Sequence, residues 1–325
     1  MKKLFVSMLA VAALVSCSKE QTVSFDKGEE IGFNSFVENS TRADAATDPS
    51  YKASTLAYFD VYGAVNGVNI FNGDRVTRGN LALGDAWSMN YETAPKQYWI
   101  AGAPYAFAAV VDATSVATGE NGLPTELSYT TSTQKDMLYD YVATVGKPNE
   151  DGIVGFEFTH LLSKVKFSVT NTTAPEATNY RIKITSVELL NVYPSGTYAV
   201  NGDNGTWTPA TADEYVLENA YVVNSGATQF NSKEVLLIPG SAVGVYVAAD
   251  IEATDDNGTT WKKVSDIKKT FENALGVTGE TANVLEANKA YHFAVSFGIG
   301  TEIKFTATAL PDWTDGDGDD DTPLQ

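Results

Sequence analysis

Short runs of apolar and aromatic residues, separated by turn-forming residues, limit the fold of this sequence more than any other feature. In residues 164–169, Val165, Phe167 and Val169 alternate with polar residues. This alternation places the apolar side chains on one face of a half-buried strand. Residues 180–187 repeat the pattern after ten residues of polar turn. We therefore expect the two strands to pair as a hairpin.

Runs of the same kind recur along the chain, and sustained helical periodicity is scarce. They lie at residues 56–65, 97–111, 138–145, 155–158, 235–238, 243–251, 289–297 and 302–310. Many short strands between turns predict an all-β protein built from sandwich or barrel domains. A chain of 325 residues is long enough for two such domains. We place the boundary near residue 158, with one domain at 43–158, the other at 159–313 and an acidic tail at 314–325.

The net charge of −19 argues against an anionic partner. It arises from 41 acidic and 22 basic residues. A surface of this charge repels the phosphate backbone of DNA and RNA. We therefore expect no nucleic-acid partner.

The first 17 residues have the layout of a signal peptide. Two lysines follow Met1, an apolar run extends over residues 4–15, and Cys17 comes next. Residues 14–17, Leu-Val-Ser-Cys, match a lipobox, in which the Cys thiol takes a diacylglycerol. A chance Cys after an ordinary signal is the alternative, but Cys17 is the only Cys in the chain. We therefore expect an outer-membrane lipoprotein anchored at the cell surface through Cys17.

Several local motifs occur in an order that is more specific than any one of them. They are the lipobox at Cys17, Thr41-Arg42-Ala43 in a polar linker, residues 136–139 (DMLY), 158–167 (FTHLLSKVKF), 235–239 (VLLIP), 291–295 (YHFAV) and Trp313. In these motifs the chain resembles the fimbrillin family, the pilins of type V pili, together with the related fimbrillin-like lipoproteins. The resemblance covers nearly the whole chain.

The resemblance implies two transthyretin-like β-sandwich domains in tandem and a structural or adhesive role without catalysis. It also implies export as a lipoprotein and cleavage between Arg42 and Ala43 by a trypsin-like protease. The alternative is that Arg42 is only a soluble linker residue. Cleavage would release the N-terminal segment at residues 18–42. Within it, Ile31, Phe33 and Phe36 would form a strand that plugs an apolar groove.

In this scheme the vacated groove takes a strand from another pilin subunit, in a homopolymer or a heteropolymer. Ile303, Phe305, Ala307 and Ala309 alternate like such a donor strand. The tail after Trp313 is too acidic to fill an apolar groove. Residues 302–313 would therefore have to leave their own sheet to act as donor. Otherwise the subunit caps or anchors a filament, or never polymerises.

Other candidate sites have simpler explanations. Asp315, Asp317, Asp319, Asp320 and Asp321 resemble a calcium loop, but no Glu stands at the twelfth position, so a solvated tail is favoured. Residues 255–258 (DDNG) predict a hairpin turn, and residues 119–122 (GENG) predict a turn without phosphate-binding residues. His160 and His292 are isolated and are expected to be structural. We expect no metal and no cofactor.

The aromatic residues allow a second interpretation of the function. Trp87, Trp99, Trp207 and Trp261 could form a platform on which sugar rings stack, although core packing is the default role for such residues. The alternative function is therefore a monomeric, surface-anchored glycan-binding lipoprotein. Ligands on host or bacterial surfaces are further expected partners under either reading.

Overall fold

The structure is a computed structural model that describes most of the chain. The described residues are 28–37, 56–78, 88–89, 95–174, 177–218, 221–224, 229–231, 234–272, 275, 284–299 and 303–310. Cys17, Arg42, Ala43, Trp87, Trp313 and the acidic tail lie outside them. Within the described part, no helix is long and apolar enough to cross a membrane.

The strands of the first part of the chain precede residue 161. They are β1 (Gly32–Val37), β2 (Tyr58–Val65), β3 (Val68–Thr77), β4 (Ser88–Met89), β5 (Pro104–Val111), β6 (Ser115–Thr118), β7 (Pro124–Thr130), β8 (Leu138–Val145) and β9 (Ile153–His160), with a 3₁₀ turn at Thr131–Thr133. The strands of the second part follow. They are β10 (Ser163–Asn171), β11 (Tyr180–Val192), β12 (Ser195–Asn201), β13 (Asn204–Pro209), β14 (Asp213–Glu218), β15 (Tyr221–Asn224), β16 (Gln229–Asn231), β17 (Val235–Leu237), β18 (Gly244–Ala253), β19 (Lys262–Phe271), β20 (Lys289–Phe297) and β21 (Lys304–Leu310).

A seven-stranded sheet with the order β1-β9-β8-β5-β2-β3-β4 forms the N-terminal part. Its turns use residues that tolerate positive φ, as at Asn66 and Gly67 between β2 and β3, with φ of 50° and 75°. β8 and β9 share only two ladder pairs, Leu138 with His160 and Tyr139 with Thr159. Beyond them the sheet folds over, so that β9 and β1 cover one face of the remaining strands and enclose an aromatic core.

The C-terminal part is a sandwich of two sheets. One has the order β16-β10-β20-β21 with β17 also on β10, and the other has the order β14-β11-β18-β19 with β15 also on β11. Their inner faces share one core, in which Phe167 of β10, Ile184 of β11, Val247 of β18 and Phe293 of β20 are buried.

The predicted hairpin between residues 164–169 and 180–187 is wrong. These residues form β10 and β11, which belong to different sheets and face each other through the core. The alternation itself is present, because Val165, Phe167 and Val169 are all buried. Strands that face each other in a sandwich have the same inward alternation as hairpin neighbours, so the pattern cannot distinguish the two arrangements.

The two parts meet through a four-stranded sheet with the order β13-β12-β7-β6. β12 and β13 come after residue 158, and β6 and β7 come before it. A third core lies here and includes Val110, Tyr129, Leu162, Tyr198 and Leu236. The division into domains near residue 158 remains a prediction, since strands from both sides of it share this sheet.

The side chain of Gln134 joins the two parts of the chain at this junction through hydrogen bonds to Leu236. Its side-chain amide donates to the carbonyl oxygen of Leu236 at 3.1 Å and accepts the amide N–H of Leu236 at 2.9 Å. One side chain therefore pairs with a strand residue as a neighbouring strand would.

The all-β prediction is confirmed, and the sheets are compatible with two sandwiches in tandem.

Candidate functional site

β1 holds the residues that the sequence identified as a plug. Ile31 and Phe33 are completely buried. β1 runs parallel to β9 in one register, from Gly32 opposite Ile153 to Val37 opposite Phe158. Phe36 lies in this ladder opposite Glu157. The strand order places β1 at the end of the seven-stranded sheet.

The segment just before β1 also has a partner on its other side. The amide of Ile31 donates to Gln97 O at 3.0 Å, and the amide of Trp99 donates to Glu29 O at 3.0 Å. Glu30 forms a β-bridge with Tyr98. Residues 29–37 therefore lie in a slot, with β9 as one wall and residues 97–99 as the other. Emptying the slot would leave backbone donors and acceptors on both walls without these partners.

The floor of the slot is aromatic. The Phe33 ring stacks on Phe156 with centroids 5.9 Å apart and meets Phe107 edge-on at 5.8 Å. Its edge-on contact with Phe71 is closer, at 5.4 Å. Burying one Phe side chain removes enough apolar surface from water to contribute roughly 1.5–3 kcal/mol. Phe33 therefore anchors β1 in the sandwich.

Two lysines flank the start of the strand at the protein surface. Lys96 Nζ lies 2.7 Å from Glu30 Oε2, and Lys147 Nζ lies 2.5 Å from Glu29 Oε2. The hydrogen bond to Glu30 raises the pKa of Lys96. Exposed ion pairs add little stability but do discriminate between strands of different charge. Sequence reasoning missed both lysines and the wall at 97–99, because only the fold brings them beside β1.

The predicted donor residues lie in β21 or just before it. β21 is an edge strand, antiparallel to β20, with Lys304 opposite Ser296 and Leu310 opposite Ala290. Ile303 and Phe305 are only partly buried, Ala307 is buried, and Ala309 is exposed. The Phe305 ring stacks on Phe271 at 4.5 Å. In the described structure these residues therefore complete their own C-terminal sheet.

The two histidines occupy separate structural positions. His160 Nδ1 lies 2.8 Å from Asp136 Oδ2, with both side chains buried. His292 Nε2 lies 2.7 Å from Ser168 Oγ across the β10–β20 ladder. Burial lowers the pKa of His292, and Lys166 adds to the effect. The described residues contain no group of three or more His, Cys, Asp or Glu side chains arranged to hold a metal ion.

The three described tryptophans lie on different elements. Trp99 is buried and donates its Nε1–H to Gly152 O at 2.9 Å. Trp207, in β13, donates to Leu161 O at 3.0 Å. Trp261 precedes β19 and donates to Gly258 O at 3.0 Å. They do not share one stacking platform.

Both predicted turns are confirmed. The amide of Gly122 donates to Gly119 O at 2.9 Å. Residues 254–261 join the antiparallel strands β18 and β19. In that hairpin the Asp256 carboxylate accepts from the Thr254 hydroxyl at 2.6 Å and from the Thr260 amide at 2.8 Å. These hydrogen bonds lower the pKa of Asp256 to about 2.

Comparison with known proteins agrees with this architecture. A family profile described as fimbrillin-like matches residues 21–313. The chain belongs to the fimbrillin-like family. No curated protein has a sequence that matches this member of the family.

Solved structures share the fold of this fimbrillin-like protein at low sequence identity. A fimbrial protein from Bacteroides vulgatus has a TM-score of 0.57 and 14% identity, over 88% of this chain and 99% of that one. A "putative cell adhesion protein" from Bacteroides uniformis has a TM-score of 0.55 and 17% identity, over 88% and 98% of the two chains. At such identities the likeness establishes the fold alone.

Proposed function

We propose that this chain is a structural or adhesive subunit of a fimbrium, exported as an outer-membrane lipoprotein through Cys17 and assembled by protease-triggered strand exchange. Its role is noncovalent assembly at the cell surface. Membership of the fimbrillin-like family supports the pilus-related role. The observation that carries the exchange step is the two-walled slot that holds residues 29–37.

Arg42 is well placed in the sequence for the trigger. It lies five residues after Val37, the last residue of β1, and before Tyr58, the first residue of β2. A cut between Arg42 and Ala43 would leave β1 held only by noncovalent contacts. A strand from another subunit can then replace it, because a ladder partner and apolar side chains are what the slot requires.

β21 is the donor that we favour. It is an edge strand, so leaving its sheet breaks one ladder and not two. Ile303 and Phe305 are partly exposed in their own sheet, whereas Ile31 and Phe33 are fully buried in the slot. Moving an Ile and a Phe from partial to full burial favours the exchanged state. A glycan-binding role has less support, since the described tryptophans are dispersed.

The test is digestion of the chain that starts at residue 18 with an arginine-specific protease, followed by electrophoresis without boiling. We expect a cut after Arg42, loss of the N-terminal fragment and a ladder of multimers that resist detergent. The Arg42→Ala variant should remain uncut at this position and monomeric. A trimmed product that stays monomeric at high concentration would overturn the exchange mechanism.

A further inference from the structure

The slot has a distinct requirement at each position of its occupant. A Cβ atom at position 28 would lie 2.9 Å from the backbone oxygen of Trp99, so Gly28 cannot gain a side chain without displacing that wall. Glu30 pairs with Lys96. The side chains of Ile31 and Phe33 are completely buried in the core. Together these positions select the pattern Gly-x-Glu-Ile-x-Phe.

The same pattern occurs a second time in the chain. Residues 28–33 read Gly-Glu-Glu-Ile-Gly-Phe, and residues 300–305 read Gly-Thr-Glu-Ile-Lys-Phe. The two segments agree at the glycine, at the second acidic position, and at the Ile and Phe that point into the core. They differ at the position of Glu29, where the second segment has Thr301, and at the position of Gly32, where it has Lys304.

Both differences are compatible with the slot. Lys147 is the partner of Glu29 and lies at the exposed surface, so Thr301 in place of that glutamate leaves no buried charge unpaired. Gly32 is not fully buried, and a Cβ there would meet only the Ile153 Cγ1 atom at 3.3 Å. A small shift of that side-chain atom admits Lys304, whose charged end can extend to water.

We infer that residues 300–305 of a second copy of this chain occupy the slot in the register of residues 28–33, and that Lys96 selects the incoming strand through Glu302. This inference rests on the proposed function, since the slot must first lose β1. It adds the partner, which is another copy of the same chain, and the direction of the strand, which is parallel to β9 as β1 is. Lys96 acts on selectivity, because charge pairs at the edge of an interface guide association more than they tighten it.

Exposed apolar residues mark the end of the sandwich at which such a strand would enter. Val68, Ile100 and Val145 are 65%, 55% and 71% exposed, and they are three of the five large exposed apolar side chains in the described part. Ile100 directly follows the slot wall. The amide of Asn66, two residues before Val68, donates to Pro104 O at 2.9 Å, and Pro104 is the ladder partner of Val145. Val68 and Val145 therefore lie at the same end as Ile100. Residues 300–305 follow closely on β20, so the donor's C-terminal sandwich would cover this end.

Charge reversal tests the selection. The starting material is the chain from residue 18, trimmed by the arginine-specific protease, and the readout is the initial rate at which the multimer ladder grows. Lys96→Glu should slow growth about ten-fold, because it places a like charge opposite Glu302. Lys147→Glu is the matched control: it also loses an acidic partner with β1 but faces Thr301, and should change the rate less than about two-fold. Adding Glu302→Lys to Lys96→Glu should restore the wild-type rate.

A disulfide test reads the register independently. The trimmed chain has no cysteine, so Ile153→Cys combined with Lys304→Cys creates one possible link. In the inferred register these residues pair as Ile153 pairs with Gly32, at a separation that suits a disulfide. Oxidised ladders should then survive boiling, whereas Glu157→Cys with Lys304→Cys, four residues out of register, should not be linked.

The outcomes separate this inference from the proposed function. If the wild-type trimmed chain forms no multimers, the exchange mechanism fails and this inference fails with it. If multimers form but Lys96→Glu and Lys147→Glu behave alike, or the 157–304 pair links better than the 153–304 pair, the proposed function stands and this inference is overturned.

Discussion

The Phe33 ring meets the Phe71 ring edge-on at a centroid distance of 5.4 Å, although β1 and β3 are separated by four strands in the order of their sheet. The contact exists because the sheet folds over where β8 and β9 separate. At that point the Asp140 carboxylate, and not a strand, accepts the Glu157 amide at 2.8 Å. β1 thereby packs against strands to which it is not hydrogen-bonded, and its apolar side chains close the core.

Loss of the Phe33 ring should destabilise the uncut chain severely. Phe33→Ala leaves a cavity among three aromatic rings, and such substitutions cost about 3–5 kcal/mol. Val68→Ala, at an exposed position, should change the free energy of unfolding by less than about 0.5 kcal/mol. Urea denaturation of both variants provides the measurement. Equal effects would contradict the assignment of Phe33 as the anchor of β1.

The four arginines should be cut in a definite order. Arg75 lies within β3 and forms two hydrogen bonds with Asp60, at 2.8 and 2.9 Å, and Arg181 lies within β11. Proteases require unpaired backbone, so both sites are protected by their ladders. Brief digestion with an arginine-specific protease, followed by intact mass measurement, should show the cut after Arg42 first. A first cut after Arg78, which follows β3, would refute this order.

Asp140 should reduce stability at neutral pH. Burial raises the pKa of its carboxyl to about 6, from the ordinary value of 3.8 for an exposed Asp in the unfolded chain. The folded state therefore binds the proton more tightly, and the cost of the buried charge is absent below pH 3.8, grows between pH 3.8 and 6 and is complete above pH 6.

The Asp140→Asn variant isolates this effect, since its amide oxygen can still accept the Glu157 amide. The free energy of unfolding should be higher for the variant than for the wild type at pH 7.5, and the difference should shrink as the pH falls to 4. A difference that is constant across this range would show that folding does not raise the pKa of Asp140.

The Gln134 bridge should couple the two parts of the chain. Gln134→Ala leaves the buried Leu236 amide and carbonyl without this partner, at a cost of about 1–3 kcal/mol. The side chain of the Gln134→Glu variant can still accept the Leu236 amide, but it can donate to the Leu236 carbonyl only when its carboxyl is protonated. This variant should therefore lose less stability at a pH where that carboxyl is protonated. Calorimetry of the two variants checks the ranking. A fully stable Gln134→Ala variant would indicate that the third core alone joins the two parts.

Sequence reasoning succeeded where the information is local. Alternation identified the strand at residues 164–169, the turn residues identified the hairpin at 255–258, and the apolar run at 31–36 identified β1. It failed where the outcome depends on long-range packing. The partners of β10 and β11, the wall at 97–99 and the sheet shared by β7 and β12 join residues far apart in the chain, and no pattern within a single segment encodes these pairings.

The amides of Ile153 and Glu157 donate to side chains and not to β1. The most direct test of strand replacement is therefore hydrogen exchange of the backbone amides of Val154, Phe156 and Phe158. β1 is their ladder partner in the uncut chain, so their exchange should be slow. It should become fast in trimmed monomers that have lost the N-terminal fragment, and slow again in the multimers, where a donated strand takes the place of β1. Slow exchange in trimmed monomers without the fragment, or fast exchange in the multimers, would contradict strand replacement.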